Sequence, residues 1–247
     1  NFELNLANRL DEEEIDSLLN LNRGVKQYIF FAGITKPDEC ANNVWESFRV
    51  NVLNMIAFIS KCIEHDKEIL FLSSDAVFEG SKYPSYENSA RCPKYTYGIQ
   101  KSIIEEYFCQ YKNFKTVRLS YVLCRDDYIF KHKMYNDDFI LYRNFMRNVI
   151  PEDHVYSILE KYIHKFHYLP QILNAAGEEC LSKFDIGKMV SKVFHSSKPI
   201  SIDAEDNFFV NRAKKIEMNS NYISDVLGHK PTKIINWIEQ IKETKNG

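Results

Sequence analysis

Tyr97 and Lys101 stand four residues apart, and upstream of them lies Leu72-Ser73-Ser74-Asp75. A Tyr-x-x-x-Lys step sets both side chains on one face of a helix. A free phenol has a pKa of about 10, too high for easy proton exchange at neutral pH. A neighbouring ammonium favours the phenolate, so the spacing predicts a Tyr97 phenol pulled down toward working pH. A Ser hydroxyl beside the phenol can hydrogen-bond a carbonyl oxygen and fix its position. Hydride chemistry on a carbonyl uses this set together with a nicotinamide.

In a chain with 15 Tyr such a step can arise by chance. Its context argues otherwise. Glu68-Ile69-Leu70-Phe71-Leu72 is a short apolar run that reads as a buried strand, and it leads directly into Ser73-Ser74-Asp75. Ligands of open parallel sheets collect at the carboxyl ends of strands.

The elements that must position these residues follow from the pattern. Residues 11–20 read as a helix with Ile15, Leu18 and Leu19 on one face. Residues 27–33 read as a strand, and 43–65 as one long helix with an apolar stripe from Val44 to Ile63. The polar segment 80–93 reads as a surface loop, 97–111 as a helix, and 115–122 as a third strand. This alternation predicts an α/β fold, a doubly wound parallel sheet with right-handed crossovers. Residues 1–124 would form its core. Residues 125–247 would contribute the last strands and a small lobe. Residues 172–177 read as another short strand, and Ser182-x-x-Asp185 resembles a capping box that opens a helix over 184–194. Closing helices are predicted over 219–227 and 234–242.

Composition bounds the function. The chain has 247 residues, 45% hydrophobic and 27% charged, with a formal net charge of −2. Its basic residues are scattered, so no nucleic-acid partner is predicted. No apolar stretch approaches the roughly 18 residues of a membrane span, and no secretory start is visible. The 6 cysteines show no Cys-x-x-Cys spacing and read as reduced packing residues of a cytoplasmic protein. The 7 histidines, among them His154, His164 and His167, lack metal-ligand spacing.

The stretch from Phe71 to Gly80, the Tyr83-Pro-Ser-Tyr-Glu-Asn88 loop and Pro93-x-x-x-Tyr97-Gly98-x-x-Lys101 together resemble the extended short-chain dehydrogenase/reductases, nearest to the dTDP-4-dehydrorhamnose reductase group. Ala32-Gly33-Ile34-Thr35, Asn51-Val52, Val117-Arg118-Leu119-Ser120, Asn174-Ala175-Ala176-Gly177 and Arg212-Ala213 are similar to further landmarks of that group. The resemblance implies a Rossmann-like fold with a substrate-binding C-terminal lobe, NADP or NAD as cofactor, and a nucleotide-sugar substrate, with a homodimer as fold-level analogy. It implies Ser74, Tyr97 and Lys101 as catalytic residues, with Tyr97 the general acid. Ala32, Gly33, Thr35, Asn51, Ser73, Tyr97 and Lys101 would line the cofactor, and Ser74, Asp75 and Arg212 the substrate. The implied reaction is reduction of a 4-keto nucleotide sugar. Its alternatives are an epimerase or dehydratase of the same superfamily, or a non-catalytic NADP-binding role like that of the regulatory subunit of methionine adenosyltransferase.

The sequence departs from that pattern. None of its 8 glycines lies within three residues of another, so no Gly-x-x-Gly-x-x-Gly turn is present to cradle a pyrophosphate. With Asn1 rather than Met at the start, this predicts a cropped chain whose natural form carries a glycine-rich βαβ unit. Those strands are expected to lie between strand 28–31 and strand 69–72. Ala76 replaces the group's usual Tyr, which bears on sugar choice.

Overall fold

The computed structural model describes residues 10–31, 33–132 and 139–244. Helix α1 (Glu12–Leu21) begins at Asp11, whose side chain accepts the Glu13 amide at 2.8 Å. Strand β1 (Gln27–Phe30) and helix α2 (Pro37–Asn42) follow. A helical run comes next, made of α3 (Val44–Phe48), a π-helical turn (Arg49–Leu53) and α4 (Asn54–Glu64). Strand β2 (Glu68–Ser74) leads into the 3-10 turn Asp75–Phe78. Then come α5 (Thr96–Phe108), β3 (Phe114–Leu119) and β4 (Tyr121–Leu123). The second half holds α6 (Tyr128–His132), β5 (Ile140–Tyr142), β6 (Met146–Pro151), α7 (Glu152–Lys165), β7 (Ile172–Ala175) and β8 (Cys180–Ser182). It closes with α8 (Lys183–Phe194), β9 (Ile200–Ile202), β10 (Lys215–Ile216), α9 (Ile223–Leu227) and α10 (Ile234–Thr244).

The main sheet is parallel, in the order β1-β2-β3-β7. Strand alternation divides its side chains between two cores. Ile69, Phe71 and Phe114 pack with Ile15 and Leu19 of α1, Ile59 of α4 and Ile104 and Phe108 of α5. Leu70, Leu72, Val117 and Leu173 pack the other way, onto Ile158 and Tyr162 of α7 and Val226 of α9. Both faces are covered, which is why these strands read as continuous apolar runs.

Three expectations are corrected. Strand β1 pairs directly with β2, Tyr28 opposite Ile69 and Phe30 opposite Phe71, so no strands intervene between them. The helical run 37–64 makes a crossover straight to the neighbouring strand, and β2 is the single sheet neighbour of β1 among the described residues. The expected single helix over 43–65 contains the π-helical turn, which puts Asn51 in its middle. The expected strand over 115–122 breaks at Ser120, whose amide donates to the Ala175 carbonyl at 3.1 Å. Beyond that break β4 leaves for a second sheet of order β10-β6-β4, in which β8 pairs antiparallel to β6.

The segment from 126 to 149, where no element was legible, holds α6, β5 and the start of β6; positions 133–138 lie outside the described residues. The predicted capping box is present. Ser182 Oγ accepts the Asp185 amide at 3.1 Å, and the Asp185 carboxylate accepts the Ser182 amide at 3.2 Å. Among the described residues no helix is long and apolar enough to cross a membrane.

Candidate active site

At its carboxyl end, β2 turns sharply. Ser74 is extended (φ −143°, ψ 157°), and its hydroxyl oxygen caps the following turn by accepting the Ala76 amide at 3.2 Å. The same hydroxyl donates to Asp75 Oδ1 at 3.1 Å and stands beside the phenol of Tyr97 in the first turn of α5. One turn further along that helix, Lys101 Nζ donates to the Leu72 carbonyl at 2.9 Å. The ammonium sits 5.9 Å from the Tyr97 ring centroid and 4.6 Å from that of Phe71. Ser73, Ser74, Asp75, Tyr97 and Lys101 therefore converge at one strand end. The buried Ser73 hydroxyl has no protein partner.

Helix α5 is held there by a buried ion pair. Arg118 of β3 bonds Glu105 at 2.7 Å, and both side chains are 1% exposed. Arg118 Nη1 also donates to the Glu87 carbonyl of the loop that precedes α5. Such a pair fixes a register more than it adds stability.

Ionisation at the site runs against the sequence expectation. Burial pushes the Tyr97 phenol above its ordinary value, and the negative charge of Asp75 adds to the effect. The Ser74 hydroxyl opposes the rise but does not overcome it. The phenol is thus not pulled down by Lys101. Burial instead lowers Lys101 itself, to about 8, against the opposing pull of Glu105. Asp75 is raised by burial, with the Arg147 guanidinium as its main counterweight. Burial raises Glu79 to about 7.

At the end of β1, Gly33 adopts φ +142°, and a Cβ there would come within 2.8 Å of Asn51 Oδ1. Asn51, 5% exposed, accepts the Ile34 amide at 2.8 Å and donates to the Ile34 carbonyl at 2.9 Å and to Gln100 Oε1 at 2.8 Å. Its amide therefore holds the turn and ties it to α5, leaving the backbone of this turn as the surface a ligand could meet. Thr35 is exposed beside it. Ala32 lies outside the described residues.

From the C-terminal half, Arg212 pairs with Asp38 of α2, assisted by Asn211 Nδ2 at 3.1 Å from the same carboxylate. Its guanidinium lies 4.5 Å from the Phe208 ring centroid. Two residues that sequence reasoning missed also belong here. Arg147 of β6 lies 3.5 Å from Asp75 Oδ2 and donates to the carbonyls of Met146 and Ala213 at 2.7 and 2.9 Å. Glu79 sits one turn after Ser74. An Arg inside the short run Phe145-Met146-Arg147-Asn148-Val149 was the available signal for the first. A cleft of about 460 Å³ beside Cys109, Gln171 and Tyr222 and another of about 950 Å³ beside Trp45 and Leu53 open elsewhere, and neither is lined by Ser74, Tyr97 or Lys101.

Many solved structures resemble this fold. The dTDP-4-dehydrorhamnose reductase of Yersinia enterocolitica superposes with a TM-score of 0.83 at 19% identity, over 98% of this chain and 87% of that one. The Bacillus anthracis enzyme of the same name, in complex with NADP, gives 0.80 at 16%, over 98% and 87%. A UDP-glucose 4-epimerase from Thermotoga maritima, with UDP-glucose, gives 0.78 at 15%, over 98% and 84%. At these identities the likeness is one of fold, and the fold is Rossmann-like. No curated protein sequence matches the chain. The sequence model of the RmlD substrate binding domain matches residues 4–139, more than half of the length. With its serine strand end, tyrosine-bearing helix and parallel sheet, the chain belongs to the RmlD substrate binding domain family.

Proposed function

We propose that this chain serves an NAD(P)-dependent reductase of a 4-keto nucleotide sugar, with Tyr97 as general acid. The observation that carries the reading is the placing of the Ser74 hydroxyl beside the Tyr97 phenol at a parallel-strand end, with buried Lys101 on the same helix. The Ser74 hydroxyl donates to the substrate carbonyl oxygen and polarises it. When bound, a reduced nicotinamide supplies the hydride that the carbonyl carbon accepts. The Tyr97 phenol donates its proton to the oxygen as charge develops there, so the product is the alcohol. Lys101, lowered to about 8, stands beside the phenol as a proton-carrying group near neutrality. A phenol raised by burial is fully protonated at neutral pH, the state in which reduction starts. An epimerase must first take a proton from a hydroxyl, so the raised phenol favours reduction.

The residues present fit one half of the cofactor. Gly33 at positive φ and the orphaned Ser73 hydroxyl, together with Tyr97 and Lys101, suit a nicotinamide riboside. The glycines of this chain supply no cradle for the pyrophosphate. Asp75 and Arg212 are the proposed sugar and phosphate contacts, the latter after leaving Asp38. The test is NADPH consumption with a dTDP-4-keto-6-deoxy sugar. Retained turnover in Tyr97→Phe would overturn the assignment of the acid.

A further inference from the structure

We propose that Glu79 is a positioning residue for the reaction: its carboxylate caps the start of α5 from outside the helix and so sets the pose of Tyr97 against Ser74. The proposal rests on the reading of Tyr97 as the acid.

Helix α5 lacks a cap of its own. Its N-cap residue is Tyr95, which makes no side-chain cap hydrogen bond. The first amides of a helix need acceptors, and a partial positive charge gathers there. Glu79 fills this role from the turn that follows β2. Its Oε2 accepts the Tyr95 amide at 3.2 Å. The side chain is buried at 7% exposure, so it has little water to turn to.

Contact between the turn and the helix is close. A Cβ at Gly98 would collide with the Ala76 carbonyl oxygen and come within 2.8 Å of Glu79 Oε2. Gly98 adjoins Tyr97, so the seat of the helix start and the location of the phenol are one geometric fact. The segment 74–79 carries the Ser74 hydroxyl at one end and the cap at the other. The two groups that must meet the substrate oxygen are thereby indexed to each other across five residues of chain.

The titratable and charged groups facing Glu79 are Asp75 of its own turn, Arg147 of β6 and the neutral phenol of Tyr97 on α5. Arg147 favours the ionised carboxylate and Asp75 opposes it, while burial raises its ionisation to about 7. The stronger acceptor, the carboxylate, is therefore present above neutrality.

The test uses the whole chain, labelled with nitrogen-15 and with carbon-13 at the tyrosine ring. The Tyr95 amide shift should titrate near pH 7 in the wild type, stay flat in Glu79→Gln, and still titrate in Asp75→Asn. In Glu79→Ala the Tyr95 amide should exchange about tenfold faster, the factor that corresponds to losing a hydrogen bond of about 1.4 kcal/mol. The Tyr97 ring carbon, identified by its loss in Tyr97→Phe, should shift in the same variant. With a keto sugar and NADPH, Glu79→Gln should lower kcat about tenfold or more with KM unchanged, and Glu79→Asp should recover part of it. An unaltered Tyr95 titration in Glu79→Gln, or an unmoved Tyr97 resonance in Glu79→Ala, overturns the proposal. Absence of wild-type turnover sinks the reductase reading, while the two resonances still decide the role of Glu79.

Discussion

The ends of β1 and β2 lie side by side on one sheet, yet they use polar side chains in opposite ways. At β1, Asn51 makes four hydrogen bonds to its own protein, Gln100 passes the chain on to Ser47 at 2.8 Å, and Ser47 donates to the Cys40 carbonyl at 3.1 Å. No ionisable group is needed, and the result is a fixed turn. At β2, buried Asp75 and Lys101 and half-buried Tyr97 have ionisations displaced by desolvation, and the buried Ser73 hydroxyl has no partner. Buried groups left with displaced ionisation are where chemistry is expected, and fully satisfied ones are where shape is kept.

The sharpest way to break this contrast is to remove the phenol oxygen. Tyr97→Phe should cut kcat about 10²- to 10⁴-fold, the range of a general acid, with an unchanged circular dichroism spectrum. Next in size is Lys101. Its folded value is depressed from 10.5 to about 8, so stability should rise as pH climbs from 8 to 10.5 and be lost again on the way down. The swing is about 3 kcal/mol, and urea unfolding of Lys101→Met should show none of it. At the other strand end, Asn51→Ala should cost about 2–3 kcal/mol at any pH, because the Ile34 and Gln100 groups lose buried partners. A strong pH dependence of that loss would erase the distinction between the two ends. The smallest effect belongs to Asp38→Asn. Its Asp38–Arg212 pair has an exposed carboxylate, so stability should change by less than about 1 kcal/mol. If Arg212 serves the substrate, KM should fall rather than rise.

Much of the site was legible because it is local. The Tyr97–Lys101 step depends only on helical spacing, the Ser182–Asp185 box only on a three-residue offset, and the strand before Ser74 only on a short apolar run. The direct pairing of β1 with β2 was not legible, since strand order is decided by how a crossover packs. The π-helical turn was hidden because the apolar positions from Val44 to Ile63 suit an ordinary helix about as well. The rise of the Tyr97 phenol escaped for a related reason. Spacing shows the lysine four residues away, whereas the rise comes from burial by the walls of the fold, with the charge of Asp75 adding to it. Arg147 comes from a strand 72 positions after Asp75, and nothing in the sequence linked the two.

The π-helical turn at Arg49–Leu53 also makes the chain sensitive to a change in length. It accommodates one residue more than a regular helix of the same span. Deleting one position there would restore regular winding over the same span and leave the helices on either side in register. Ser47 would keep facing Gln100, while Asn51, inside the turn, would lose its place against Ile34. A substitution within the turn trims one contact, but a one-residue deletion would take the Asn51 clasp out of the bracket between the first strand and the helix that carries Tyr97.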